Sequence, residues 1–227
     1  MGLLTDRDFS RLDSAAASWG LRLSPGQRAQ IEGYLGELLE HNRKVNLTAE
    51  SDPVTLLLRH VADGLAAVPL LKECLSADRA PRILDLGSGG GLIGIPIKIA
   101  WPEARVTLAE PLKRKYDFLN LAAARLGLKG LRVLRKSAGQ DVFAPQDKGF
   151  DAVVARALAP LPEALALGIA LARPRGFFLA YQTLPADPEE EHLKKAQVRH
   201  SASLVRNFAY RLPLEDRDRQ LALFRRA

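Results

Sequence analysis

The chain has a single cysteine, Cys74, among 227 residues, so no internal disulfide can form and a reducing compartment fits best. No cluster of histidine or aspartate surrounds Cys74 at metal-ligand spacing, and no metal site is expected. No run of about 18 uninterrupted apolar residues occurs, which argues against a membrane span. The opening MGLLTDRDFS lacks a basic stretch followed by an apolar run, so a secretory leader is not expected and the cytoplasm is the expected location. Neither a repeat of roughly 20–50 residues nor a low-complexity tract stands out. Hydrophobic residues at 47% and charged residues at 26% then describe an ordinary globular chain, long enough for one domain with a sizeable core.

The charge balance is 33 Lys and Arg against 26 Asp and Glu, a net +7. Such a balance suits a polyanionic partner such as nucleic acid, and it also suits a mildly basic surface with no such partner. The residues must decide.

Along the chain, Ser24-Pro25 and Asp52-Pro53 each read as an N-cap followed by proline at the first helical position. Ile31, Leu35, Leu38, Asn42 and Val45 follow helical spacing after the first, and Leu56, Leu57, His60, Val61, Gly64, Leu65 and Val68 after the second. Pro69 and Pro81 bracket what reads as a less regular connection. From Arg82 the pattern changes. Short apolar runs at 82–86, 105–109, 131–135, 150–155 and 176–182 read as strands, alternating with amphipathic segments. The helix after Pro111 is expected to carry Leu112, Tyr116, Leu119, Ala123 and Leu126 on one face. The tail, SLVRNFAYRLPL and RQLALFRR around EDRD, reads as an antiparallel hairpin. The expected fold is therefore α/β, a mostly parallel sheet with a C-terminal antiparallel hairpin, over residues 81–227. Residues 1–80 form an N-terminal helical cap.

The first strand runs into LGSGGGLIGIP, with five glycines between positions 87 and 94. Glycine is costly in chain entropy, so a cluster marks a backbone that bends sharply or closely approaches a ligand. The spacing Gly89-x-Gly91-x-x-Gly94 satisfies a dinucleotide fingerprint, which alone is weak. Asp85-x-Gly87-x-Gly89-x-Gly91 is the spacing of S-adenosylmethionine (SAM) methyltransferases. Asp85 favours the second, because a carboxylate there would repel a pyrophosphate and attract the ammonium group of SAM. Glu110 ends the second strand about 20 residues on, where an acidic residue accepts hydrogen bonds from ribose hydroxyls.

The acceptor narrows next. The fourth strand runs into RALAPLPE, without the Asn/Asp-Pro-Pro-aromatic turn that exocyclic amines meet. Pyrimidine carbon-5 methylation needs a cysteine nucleophile, and Cys74 has no activating neighbours. What remains is an acceptor that is already nucleophilic, such as a purine ring nitrogen, for which positioning supplies much of the rate. Arg156 lies at the glycine-loop end of the sheet, suited to a phosphate or guanine edge, or to a surface ion pair. Lys113, Arg114 and Lys115 open a helix against its macrodipole, which points to RNA phosphates or to a solvated charge run.

Several stretches together resemble the glucose-inhibited division protein B family of bacterial 16S ribosomal RNA guanine-N7 methyltransferases, which use SAM. Asn42, Lys44 and Val45-Asn46-Leu47-Thr48 are similar to the family's W-N-x-x-x-N-L-T segment. Arg59-His60-Val61-Ala62-Asp63-Gly64-Leu65 resembles its R-H-x-x-D-S-L helix, and the glycine loop resembles G-S/T-G-x-G-x-P-G-I-P. Residues 155–161, ARALAPL, resemble S-R-A-x-x-x-L. The resemblance implies a class I SAM-dependent methyltransferase (Rossmann-like) fold, with Gly87, Gly89, Gly91, Leu92 and Arg156 on the cofactor. It places His60, Asp63 and Asn46 around the acceptor, and it implies a 16S RNA or small-subunit substrate. A monomer without membrane contact is expected.

Three positions depart from the family pattern. Ser137-Ala138-Gly139 stands where the family has R-A-E along the adenine, Gln182 stands for a lysine after the fifth strand, and Ile93 stands for the loop proline. Backbone at Ala138 and Gly139 can still meet the adenine, and Gln182 falls on the RNA side. The rivals are a family paralogue with another RNA or small-molecule acceptor, and a non-catalytic RNA-binding or ribosome-assembly protein. An NAD-dependent oxidoreductase is disfavoured by Asp85 and by the tail hairpin.

Overall fold

The computed structural model describes residues 2–75, 80–137 and 149–227. Its sheet has seven strands in the order β3-β2-β1-β4-β5-β7-β6. They are β1 (Arg82–Leu86), β2 (Arg105–Ala109), β3 (Leu131–Leu134), β4 (Phe150–Arg156), β5 (Ala172–Gln182), β6 (Ala202–Arg211) and β7 (Asp218–Arg226). β1 to β5 run parallel to one another. β7 returns antiparallel to β5 and pairs with β6 as the expected hairpin. The strand order reverses between β1 and β4, so the loops following them part and leave a crevice at the C-terminal edge of the sheet.

Alternation along the central strands sorts the helices onto two faces. Ile83, Val106, Leu108, Val154, Leu179 and Tyr181 share a core with α1 (Asp6–Ser18), α2 (Pro25–Val45), α4 (Ala62–Cys74), α5 (Gly94–Ala100) and α6 (Lys113–Arg125). Leu84, Leu86, Val153, Phe178 and Ala180 pack on the other face with α7 (Leu161–Ile169) and α8 (Glu191–Arg199). The front helices thus share one continuous core with the sheet. Ser24 caps α2 in a reciprocal box with Gln27, and Asp52 caps α3 (Pro53–Thr55). α1 and α8 were not expected. Thr5 and Asp8 form a capping box that opens α1.

Two expectations fail for a packing reason. Pro69 lies inside α4, which continues to Cys74. Proline removes one helical hydrogen bond, but Leu65 to Val68, Leu70 and Leu71 are buried around it, and their packing overrides the weak local preference. Leu112 is the N-cap of α6 and stands 57% exposed, while Phe118, Leu119 and Ala122 form the buried stripe. The segment Pro53–Cys74 is long and apolar enough by composition to cross a membrane, yet 72% of its most apolar window is buried in the fold. It is a core helix. A π-helical stretch, Leu56–Val61, separates α3 from α4 within it.

Candidate functional site

At the crevice, Gly87, Gly89 and Gly91 take φ of 77°, 58° and 86°, a region that L side chains rarely adopt. The amides of Gly87 and Ser88 both donate to the Ala109 carbonyl at 3.0 Å, tying the loop to the end of β2. Asp85 Oδ2 accepts from the Gly94 amide at 2.9 Å, joining the β1 end to the start of α5. Glu110 Oε2 accepts from the Gly89 amide at 2.9 Å and Oε1 from Leu112 at 3.0 Å. The cap supports the loop from behind. Tyr34 Oη donates to the Gly90 carbonyl at 2.7 Å. A Cβ on Gly64 of α4 would lie 2.9 Å from the Leu92 carbonyl oxygen, so this close crossing of helix and loop requires glycine.

The residues fit the adenosine-bearing cation that the spacing suggests. A Cβ on Gly89 would meet nothing within 4 Å, so the loop presents open space on that side. Two buried carboxylates, Asp85 and Glu110, stand at the ends of adjacent strands. A carboxylate offers about four lone-pair sites, so Glu110 retains acceptors beyond its two backbone bonds. Burial pushes the Asp85 carboxyl up to about 6, against the Gly94 amide and the Arg156 charge, which lower it. A bound ammonium would favour its ionised form.

Beside the loop opens a cleft of about 660 Å³, within the range of ligand pockets. The cap contributes Thr48, Ala49, Glu50, Arg59 and His60; the strand ends contribute Arg156, Ala157, Tyr181, Gln182, Thr183 and Arg219. Beneath it lies Asp63, fully buried. Its Oδ2 accepts from Arg156 Nη1 at 2.7 Å and Arg219 Nη1 at 3.2 Å, and its Oδ1 from Tyr210 Oη. Glu215 binds Arg219 again and also Arg59 Nε at 2.9 Å. A buried carboxylate is tolerable only when paired and hydrogen-bonded in this way. Ala157 follows Arg156 at φ 53°, a local strain of the kind that gathers at functional sites.

Two cleft groups are left over. His60 Nδ1 and Tyr181 Oη are buried without a hydrogen-bond partner among the described residues. Burial first, and then the Arg156 charge, hold the His60 pKa down to about 4, so the imidazole is neutral near pH 7. Burial, with Asp63 nearby, raises the Tyr181 hydroxyl well above 10, so it stays a donor.

The sequence-expected residues distribute unevenly. Asp85, Gly87, Gly89, Gly91 and Glu110 converge on the loop, and His60, Arg156 and Gln182 line the cleft. Leu92 is buried with its carbonyl against Gly64. Asn46 is exposed, takes φ 51° as the left-handed cap of α2, and does not line the cleft. Asn42 instead shapes this wall: its Oδ1 accepts from Leu47 at 2.7 Å and Thr48 at 3.0 Å. Lys113, Arg114 and Lys115 open α6 just past Glu110, in a first turn with no acidic residue. Lys113 Nζ bonds Asp117 at 2.6 Å. Ala138 and Gly139 lie outside the described residues. Sequence reasoning missed Tyr181, Glu50 and Arg219. Tyr181 was reachable, since it lies one residue before the end of the strand beside β4, directly opposite Arg156.

Residues 27–214 match the rRNA small subunit methyltransferase G family. The ribosomal RNA small subunit methyltransferase G of Sorangium cellulosum is 38% identical over 193 residues, 85% of this chain and 80% of its own. That of Myxococcus xanthus is 34% identical over 218 residues, covering 94% and 95%. Among solved structures, 1,6-didemethyltoxoflavin-N1-methyltransferase from Burkholderia thailandensis superposes with a TM-score of 0.55 at 18% identity, over 73% of this chain and 79% of that one. TrmN from Thermus thermophilus gives 0.53 at 19%, over 75% and 53%. These two establish the fold, that of the class I SAM-dependent methyltransferases. By sequence along nearly its whole length, the chain belongs to the rRNA small subunit methyltransferase G family of SAM-dependent enzymes.

Proposed function

We propose that this protein methylates N7 of a guanine in 16S ribosomal RNA, acting in the cytoplasm as a monomer on the small subunit or its RNA. The observation that carries this reading is the cleft beside the glycine loop, walled by Arg59, Arg156 and Arg219 together with Glu50, in which the His60 imidazole is neutral near pH 7. SAM, when bound, supplies an electrophilic methyl group. Asp85 would hold its ammonium and Glu110 its ribose, and the glycines would give its approach. N7 of guanine already carries a lone pair, so alignment suffices and no proton need leave first. His60, with a pKa near 4, is too weak a base at neutral pH to deprotonate an amine or hydroxyl acceptor. Arg156, fixed by Asp63, lines the cleft with a cation suited to a phosphate or the guanine edge. The cap over residues 1–80 closes the acceptor side, and residues 81–227 carry the cofactor side.

Mass-spectrometric mapping of 16S RNA from cells with and without the protein tests this reading. One 7-methylguanosine should disappear, and return with the wild-type protein but not with Arg156→Ala. An identical methylation map in both would overturn it. A methyl lost from another RNA would favour the paralogue reading, to which Gln182 in place of a lysine already points.

A further inference from the structure

We propose that a second cavity beside the cleft seats the nucleotide adjoining the acceptor, with Leu184 against its base and Arg59 and Arg219 on the phosphate that joins the two. The inference rests on the proposed function, because the neighbour belongs to an RNA strand whose guanine enters the cleft. This cavity is also about 660 Å³, and it shares Arg59, Thr183 and Arg219 with the first. It is walled by the loop after β5 and the turn before β7, which the pairing of Gln182 with Gln220 sets side by side. Both volumes lie in the range that holds a ligand of nucleotide size.

Charge assigns the parts. Arg59 and Arg219 line both cavities and are held by Glu215, through Arg59 Nε at 2.9 Å and Arg219 Nε at 2.6 Å. Arg219 also shares Asp63 with Arg156. In this chain three guanidiniums stand over two carboxylates, which leaves one positive charge for one phosphodiester. The rest of the second cavity is balanced: Arg217 stands with Asp216 and Asp218, and Arg211 bonds Asp218 at 2.8 Å. Such a wall suits an uncharged base better than a further phosphate.

Leu184 supplies the apolar contact. It lines this cavity and is 74% exposed, two residues past the end of β5. A lone exposed leucine is ordinary on a surface, and only its place beside the acceptor cleft gives it a use. A base that undergoes chemistry leaves its stack, and its neighbour then shows a bare face. An apolar side chain laid on that face removes both surfaces from water, as apolar wedges do between the base steps of kinked duplexes. Leu184 acts on the acceptor through its neighbour and is a positioning residue.

The experiment compares wild type, Leu184→Asp, Leu184→Phe and Val198→Asp. Val198 is 78% exposed on α8 and lines neither cavity, so its aspartate controls for the added charge. The readouts are melting temperature, SAM affinity by calorimetry, and kcat and KM for transfer to small subunits. Leu184→Asp should melt within about 2 °C of wild type, as an exposed substitution does. It should bind SAM within about twofold, while KM for the subunit rises about tenfold at similar kcat, the scale of covering one leucine. Leu184→Phe should match or surpass wild type, because an aromatic ring offers a base a larger face. Val198→Asp should move KM by less than about twofold. Equal losses in the two aspartate variants would trace the effect to charge alone and overturn the inference. An unchanged KM, a lowered melting temperature or a loss of SAM affinity in Leu184→Asp would do the same, as would a Leu184→Phe no better than the aspartate. A photoreactive phenylalanine in place of Leu184 identifies the contact directly. Its crosslinks should map to the nucleotide next to the methylated guanine; crosslinks to a ribosomal protein or to distant RNA instead would overturn the assignment. Wild type that methylates no guanine of 16S RNA would sink the proposed function and this inference with it, whereas failure at position 184 leaves that function standing.

Discussion

Around the glycine loop, the carboxylates of Asp85 and Glu110 are bonded to backbone amides of the loop or of the helices beside it. Across the cleft, Tyr181 and His60 hold polar atoms with no partner among the described residues. The proposed cofactor side is drawn from residues 85–94 plus Glu110, and main-chain geometry sets most of its shape. The proposed acceptor side is collected from 48–50, 59–60, 156–157, 181–183 and 219, and is held by a chain of charged side chains above Asp63. A site made by backbone can be rigid before its ligand arrives. One made by long side chains needs a central anchor.

The anchor gives the largest expected effect. Asp63→Ala would leave Arg156, Arg219 and Tyr210 without their shared acceptor, and breaking a buried pair by removing one partner costs about 3–5 kcal/mol. Denaturation in urea should show that loss, with the midpoint shifted and the slope kept. A change below about 1 kcal/mol would mean that Arg156 and Arg219 find water or each other's partners easily, and the acceptor side needs no anchor. Gly89→Val breaks the other half alone. The position has open space but φ 58°, so the valine strains the backbone and fills the ligand's room. SAM affinity should fall about 100-fold or more, roughly 3 kcal/mol, while Tyr181 and His60 keep their surroundings. Unaltered calorimetric binding would remove this loop from the cofactor site.

The same contrast explains what the sequence disclosed. The proposed cofactor side was legible as a structural unit because its motif is local: a strand, a glycine turn and an acidic residue one strand on. Hydrophobic alternation likewise disclosed the parallel strands and the hairpin. The acceptor side was legible only where a family motif covered it, as at His60, Asp63 and Arg156. Tyr181 looks from sequence like one more strand aromatic, and only its pairing opposite Arg156 brings it to the cleft. Arg219 follows the hairpin turn, and its bond to Asp63 spans 156 residues of chain. Pro69 and Leu112 misled for the related reason that burial, not local preference, decided them.

Titration offers a way to separate the halves in one protein. Asp85 is raised from 3.8 to about 6, so the fold holds its proton more tightly than the unfolded chain does, and that stability is lost as pH rises from about 4 to 6. His60 is depressed from 6.5 to about 4, so its contribution is present above 6.5 and is lost as pH falls through that window. The two slopes oppose each other. Asp85→Asn should therefore uncover a stability that climbs from pH 4 to 6.5, and His60→Gln one that declines from pH 4 to 6. The Asp85 part amounts to at most about 3 kcal/mol from a shift of roughly two units. Urea denaturation at stepped pH measures both, and parallel curves for all three proteins would refute the assigned burial. SAM binding to wild type should tighten as pH passes about 6, where the carboxylate ionises, and Asp85→Asn should lose that dependence.

The smallest effect concerns the basic start of α6, just past Glu110. Lys113, Arg114 and Lys115 open α6 in a turn without acidic residues, where basic charge opposes the helix dipole. If that cost serves RNA, the affinity for 16S RNA must fall with salt, and each phosphate contact adds about 0.7–0.9 to the slope of log K against log salt. Three cations would suggest three contacts, but Lys113 already pairs with Asp117 at 2.6 Å. Changing all three to Ala should therefore lower the slope by about two contacts' worth. Arg105 at the start of β2 lies at the opposite edge of the sheet from the glycine loop, and supplies the control. Arg105→Ala should leave the slope unchanged. If it lowers the slope as much per charge as the α6 triplet does, RNA is held by the net charge of +7 at large rather than by the start of α6. If neither changes it, the triplet is a solvated helix start, and the attraction for RNA belongs to the arginines of the acceptor wall.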